Sequence, residues 1–326
     1  MSPDNELNIN RKKNRRAGRL TGVGLGISLA MSGCASPAPT PVETSIFSAV
    51  ETSSPTQTAT TQIEHLQISY PARPASISAI SCDYPLAPNA QVPEKPSKEP
   101  PANFTLKVPI LMYHLVTENP GNALPGLVVS PATFKAQMEK LHKNGWKTIT
   151  AAALAKDLGN MITPPKKTFV ITFDDGHVDG YTKAWPILKK LGYNATFYMI
   201  TGRTDRSGYL SSEQLKELTD QGNDIGDHTV GHLDLRYGNL DYQIDKAAVA
   251  IARITGKWPT TLAYPAGEYN MSSERAVERC EPLTMAVTTN PGARETWGGR
   301  YAVPRVRVTP DTSPTALLNQ LNNYIK

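Results

Sequence analysis

Two carboxylates stand side by side in Thr172-Phe173-Asp174-Asp175-Gly176, directly after the apolar run Thr168–Phe173. Adjacent side chains at a strand end diverge, so one carboxylate can hold a metal while the other faces a substrate. Held close, their charges repel, and a bound cation would relieve that repulsion. The same tripeptide also reads as a plain turn leading to a helix N-cap. Some fifty residues on comes His228-Thr-Val-Gly-His232. Histidines at i and i+4 face one way on a helical turn, which is the spacing of a ligand pair for zinc or a similar divalent ion. With Asp175 they make three protein ligands and leave a position for water, as catalytic rather than structural zinc sites do. A third segment, Ala263-Tyr264-Pro265-Ala266-Gly267-Glu268-Tyr269-Asn270, is a Pro/Gly loop able to aim a backbone N–H at a ligand; alone it is only a turn signal.

Positioning these groups takes a domain of alternating short apolar runs and helix-like segments from Lys107 onward. Val108–His114, Trp146–Thr150, Thr168–Phe173, Ala195–Ile200, a run from Ile225, Thr261–Tyr264 and Met285–Thr288 read as strands. Between them, Ser130-Pro131 opens a helix that Gly145 stops; further helices are expected at 151–158, 181–191 with a kink at Pro186, 211–219, 241–255 and 272–280. Such alternation predicts one α/β domain with mainly parallel strands, and its length suits a (β/α) barrel better than an open sheet. Function then collects at the C-terminal strand ends, where all three segments fall.

Ahead of this domain the chain changes character. Residues 1–20 carry +4 of the net charge of +5, which leaves the remainder almost neutral and excludes a nucleic-acid-binding body. No run of 18 apolar residues occurs, so a multi-span membrane protein is excluded. The basic cluster and the short apolar stretch ending in Met31-Ser32-Gly33-Cys34 read as an export signal (1–34) with a lipobox, Cys34 taking a lipid that would anchor the chain to the bacterial envelope membrane. Plain secretion is the alternative, and Arg15-Arg16 hints at twin-arginine export. Residues 35–104 hold twelve of the 27 prolines amid many Ser and Thr, the composition of a disordered tether; the globular domain is expected over 105–326. Cys82 and Cys280 would form one disulfide if they meet.

In their order and spacing, Thr-Phe-Asp-Asp-Gly, His-Thr-x-x-His and the Tyr-Pro-x-Gly loop resemble the polysaccharide deacetylase family, the NodB-homology domain of carbohydrate esterase family four. The resemblance implies a distorted (β/α) barrel of about seven strands and a metal-dependent hydrolase that removes acetyl groups, mostly from N-acetylglucosamine units. It implies Asp174 as general base, Asp175, His228 and His232 as ligands of a divalent metal (zinc foremost, with cobalt, nickel or iron as alternatives), and the Ala266 N–H as an oxyanion donor. Tyr264, Pro265 and, in a Gly-rich loop beside Arg294 and Arg300, Trp297 are candidates for substrate contact.

Two departures stand out. The usual arginine that contacts the base is replaced by Ala263, with Arg305 or Arg307 as substitutes, and no histidine follows His232 to act as general acid. Pro109-Ile-Leu-Met-Tyr-His114 resembles the opening of the poly-β-1,6-N-acetylglucosamine deacetylase branch, in which the order is permuted and this early histidine takes the acid role. The implied function is therefore N-deacetylation of a polysaccharide, β-1,6-linked favoured. Peptidoglycan, chitin-like polymers or O-acetyl esters are alternative substrates, and a non-catalytic carbohydrate-binding lipoprotein is the alternative of another class. His177 could line the cleft; His65 and His142 have no expected role.

Overall fold

The computed structural model describes residues 90, 93, 96–119 and 121–326. The export signal, Cys34, His65, Cys82 and most of the tether lie outside the described residues. The described residues form twelve strands, β1 (Thr105–Leu106), β2 (Ile110–Tyr113), β3 (Leu115–Val116), β4 (Val128–Val129), β5 (Lys147–Ile149), β6 (Thr168–Phe173), β7 (Thr196–Met199), β8 (Asp224–Asp227), β9 (Thr261–Ala263), β10 (Met285–Pro291), β11 (Glu295–Thr296) and β12 (Val303–Arg307). Seven α-helices alternate with them, α1 (Pro131–Lys143), α2 (Ala151–Gly159), α3 (Trp185–Lys190), α4 (Ser212–Asp220), α5 (Leu240–Thr255), α6 (Met271–Arg279) and α7 (Pro314–Tyr324).

β2, β12, β10, β9, β8, β7 and β6 lie side by side, and β6 pairs back with β2, closing a barrel of seven parallel strands. β5 fills in beside the lower half of β6. The strands are short and apolar because parallel strands are buried on both faces: every residue of β2, β6 and β7 is buried. Inside the barrel, Tyr198 on β7 donates through its hydroxyl to Thr261 Oγ1 at 3.1 Å. Gly226 on β8 makes room for it, since a Cβ there would stand 2.4 Å from the Tyr198 ring. Helices cover the outside; α1 and α7 pack together through Phe134, Met138 and Leu141 on one and Leu317 and Leu321 on the other.

The local signals explain the element ends. Ser130 Oγ accepts from Thr133 N at 3.1 Å and caps α1, with Pro131 at its first position. The segment expected as one helix over 181–191 divides into a π-turn (Gly180–Ala184) and α3. Pro186 has no N–H to give, so the regular ladder cannot run through it.

At the N-terminal ends of the strands, β1 pairs antiparallel with β11 and forms a floor. Trp297 N–H donates to Phe104 O, and Pro100 is buried. Part of the stretch read as tether, from Pro96 to Phe104, thus lies against the floor.

Candidate active site

The Asp-Asp-Gly segment leaves β6 at its C-terminal end. Asp175 and Gly176 both take left-handed backbone, φ 73° and 74°. Only glycine serves at 176, because a Cβ would collide with Met199 Sδ on β7. For Asp175 the conformation costs free energy, of the kind kept at functional sites. It turns the Asp175 carboxylate toward the histidines while Asp174 points into the barrel.

The histidine pair sits after β8, but not on a helical turn. Residues 228–235 form a loop, and Thr229 and His232 have φ of 69° and 58°. The i, i+4 expectation of a shared helix face is corrected here: left-handed residues fold the loop back, and hydrogen bonds rather than helical pitch bring the rings together. Thr229 N donates to Asp227 Oδ1, His232 N to Thr229 Oγ1, and Gly231 N to Gln243 Oε1 on α5. The His228 and His232 rings meet edge to face with centroids 4.8 Å apart.

Asp175 Oδ1 lies 3.4 Å from His228 Nε2 and 3.3 Å from His232 Nε2. One ligand atom from each of the three residues falls within 4.8 Å of the others. His228 Nδ1 is 2.7 Å from Ala263 O, an atom that can only accept, so Nδ1 carries the proton and Nε2 keeps its lone pair for a ligand. Two imidazole nitrogens and a carboxylate oxygen converging in this way fit a divalent cation. The other carboxylate oxygen, Asp175 Oδ2, lies 3.6 Å from His177 Nε2. His177 stacks on Tyr209, with centroids 5.1 Å apart. Burial would raise the Asp175 pKa, but the imidazoles of His177 and His228 beside it hold it well below the usual carboxylate range.

Asp174 is buried, and Arg305 on β12 grips it in a fork: Nη1 to Oδ1 and Nη2 to Oδ2, both 2.7 Å. Arg305 is itself fully buried and is fixed by Thr288 O and Thr172 Oγ1. Of the two arginines offered by the sequence, Arg305 takes the place of the missing one, approaching from β12 across the barrel. Burial pushes Asp174 up; the charge and hydrogen bonds of Arg305 prevail and hold it below its ordinary value.

His114 follows β2, and its Nε2 lies 3.8 Å from Asp174 Oδ2. Burial lowers its pKa against the opposing pull of Asp174 and Asp175. The loop after β9 turns at Pro265–Gly267 through Ala266, left-handed at φ 54° and exposed. The turn's own hydrogen bonds use Gly267 N and Glu268 N.

Three expected contact residues stand elsewhere. Tyr264 is fully buried, donates to Tyr301 O and stacks on Tyr269, so it supports the loop from beneath. Pro265 is buried in the same turn. Trp297 is not brought to the site at all: it lies on the floor, buried, with the Arg300 guanidinium over its ring and Glu99 beside its Nε1. The sequence assigned no role to Thr172, Asp227 or Gln243, since their parts are hydrogen bonds made only in the fold.

The polysaccharide deacetylase family matches residues 162–283. YxkH of Bacillus subtilis (strain 168), named for that family, is 38% identical over 215 residues, covering 64% of this chain and 74% of YxkH. The chain belongs to the polysaccharide deacetylase family. The solved Streptococcus pyogenes deacetylase PplD, in complex with acetate, superposes with a TM-score of 0.61 at 31% identity, covering 66% of this chain and 98% of that one. The poly-β-1,6-N-acetyl-D-glucosamine N-deacetylase of Staphylococcus epidermidis (strain RP62A) is 26% identical over 208 residues, covering 58% of this chain and 71% of the relative. The protein is accordingly a hydrolytic polysaccharide deacetylase.

Proposed function

We propose that the protein removes N-acetyl groups from N-acetylglucosamine units of an exopolysaccharide, β-1,6-linked, and releases acetate. The observation that carries this reading is the convergence of Asp175, His228 and His232 beside the Arg305-bound Asp174, with His114 alongside. The β-1,6 preference is supported by the position of His114 ahead of the other motifs and by the S. epidermidis relative.

The proposed reaction runs on this chain's residues as follows. Asp175, His228 and His232 would hold a divalent ion, zinc by donor type, which would supply Lewis acidity and lower the pKa of water. Asp174 takes a proton from the attacking water; its charge at neutral pH is kept by Arg305. The Ala266 N–H donates to the developing oxyanion; loss of one such donor costs ~10²–10³ in rate. His114 gives its proton to the departing nitrogen as the C–N bond breaks, leaving acetate and a free amine. An amine leaves poorly as an anion, so an amide needs this proton more than an ester with a good leaving group does.

The export signal and the lipid anchor at Cys34 belong to the same proposal and place the enzyme where such a polymer is made. Acetate release from β-1,6- and β-1,4-linked N-acetylglucosamine oligomers, with and without chelator and zinc add-back, tests the reading. Metal-dependent release from the β-1,6 series is expected. Release from the β-1,4 series alone would move the substrate to peptidoglycan or a chitin-like polymer.

A further inference from the structure

The cleft over the metal-ligating residues has a volume of about 830 Å³ and two walls. One carries Leu115, Thr117, Asn119, Leu124 and Leu127; the other carries Asp175, His177, Asp179, Arg203 and Tyr209. The first wall meets the barrel by side-chain packing, through Val116 and Val129, rather than by strand pairing. β3 pairs with the two-residue strand β4 and with no barrel strand. Yet β3 begins at the residue after His114, so whatever holds β3 also sets the direction in which His114 leaves β2.

Asp179 makes that tie. It stands four residues beyond Asp175, immediately before the π-turn, and its Oδ2 accepts a hydrogen bond from the backbone N–H of Val116. Val116 is fully buried, so an acceptor lost there leaves its amide without a protein partner. The bond joins the segment bearing Asp174 and Asp175 to the segment bearing His114. On the other side of His114, Asp174 N donates to Tyr113 O at 3.0 Å, but the imidazole itself makes no hydrogen bond among the described residues, and 3.8 Å separates it from Asp174 Oδ2.

We propose that Asp179 is a positioning residue for His114, setting the imidazole against the leaving nitrogen through the Val116 amide. The inference rests on the reading of His114 as proton donor. Its role follows from reach: proton transfer requires heavy atoms within about 2.6–3.2 Å, and a misplacement of about 1 Å can cost ~10²-fold. An oxygen acceptor is all the Val116 amide requires, so an asparagine side chain serves as well as a carboxylate.

The test compares full-length, zinc-loaded D179A and D179N with the parent on two substrates, an N-acetylglucosamine oligomer and an aryl acetate whose phenolate departs without a proton. Metal content is measured alongside. For D179A, kcat on the amide should fall by about tenfold or more with KM within twofold. Its aryl acetate hydrolysis and metal content should match the parent, and D179N should recover most of the amide rate. Equal losses on both substrates, a change in KM alone, or failure of D179N to recover would overturn the proposal. H114A separates this from the reading beneath it: if H114A shows no amide-selective loss, it is the proton-donor role of His114 that fails.

Discussion

At the mouth of the barrel the buried Asp174 and the half-buried Asp175 stand beside Arg305 and four histidines; at the floor Glu295 is buried and Asp224 half-buried, and neither makes an ion pair among the described residues. The outcomes are opposite. Burial alone pushes Asp224 up to about 6 and Glu295 up to about 8, so Glu295 is largely neutral at pH 7. At the mouth the same desolvation is outweighed, at Asp174 by Arg305 and at Asp175 by its histidine neighbours, and both aspartates stay charged. A carboxyl withdrawn from water in this fold is pushed toward its neutral form unless a hydrogen-bonded partner that can carry positive charge is built against it. The neutral state at the floor also accounts for Glu295 tolerating a buried Oε1 with no partner while Oε2 accepts from Val108 N at 2.9 Å.

Breaking the mouth's charge pairing should have the largest effect. D175A and H228A each remove a ligand from a three-residue set, so metal content measured on the purified protein should fall together with acetate release, to the level of the chelated parent. R305M leaves Asp174 buried and unpaired. It should lose about 3–5 kcal/mol of stability in urea unfolding and nearly all turnover. R305K keeps the charge but not the fork, and should fall between the two.

The floor sharpens the contrast with a smaller effect of a different kind. Glu295 has its folded-state pKa raised above the ordinary 4.5. Its neutral form therefore favours the fold fully below pH 4.5, and the contribution declines as pH rises toward about 8, by at most about 1.4 kcal/mol per pH unit. E295Q cannot ionise. Thermal unfolding at pH 5 and pH 8 should show the parent losing more stability than E295Q over that interval, with no change in kcat. A parallel pH response of the two proteins would contradict the neutral floor.

What could be read from the sequence follows from the range of the interactions involved. Strands such as Thr168–Phe173 are legible because burial on both faces leaves an unbroken apolar run, and α1 because Ser130-Pro131 marks its start. The same signal, Ser313-Pro314, opens α7, and there it went unread. The grouping of Asp175, His228 and His232 was legible by type and spacing, though the conformation that joins the histidines was not, because it rests on Thr229, Asp227 and Gln243, contacts that no local pattern announces. Arg305 was visible only as one of two arginines near a late strand; its choice over Arg307 is made by the barrel interior, where Arg305 is buried and Arg307 is exposed. Trp297 misled because an aromatic in a Gly-rich loop looks the same whether the loop closes the floor or rims the mouth.

The most direct measurement is turnover together with metal content for D174N. The substitution keeps the shape at Asp174 and removes its charge, leaving Asp175, His228 and His232 in place. The account predicts metal content equal to the parent's and a loss of about 10²–10⁴ in kcat on an N-acetylglucosamine oligomer. A D174N protein that binds metal and turns over at near the parent rate would contradict the assignment of the Arg305-bound aspartate as the base.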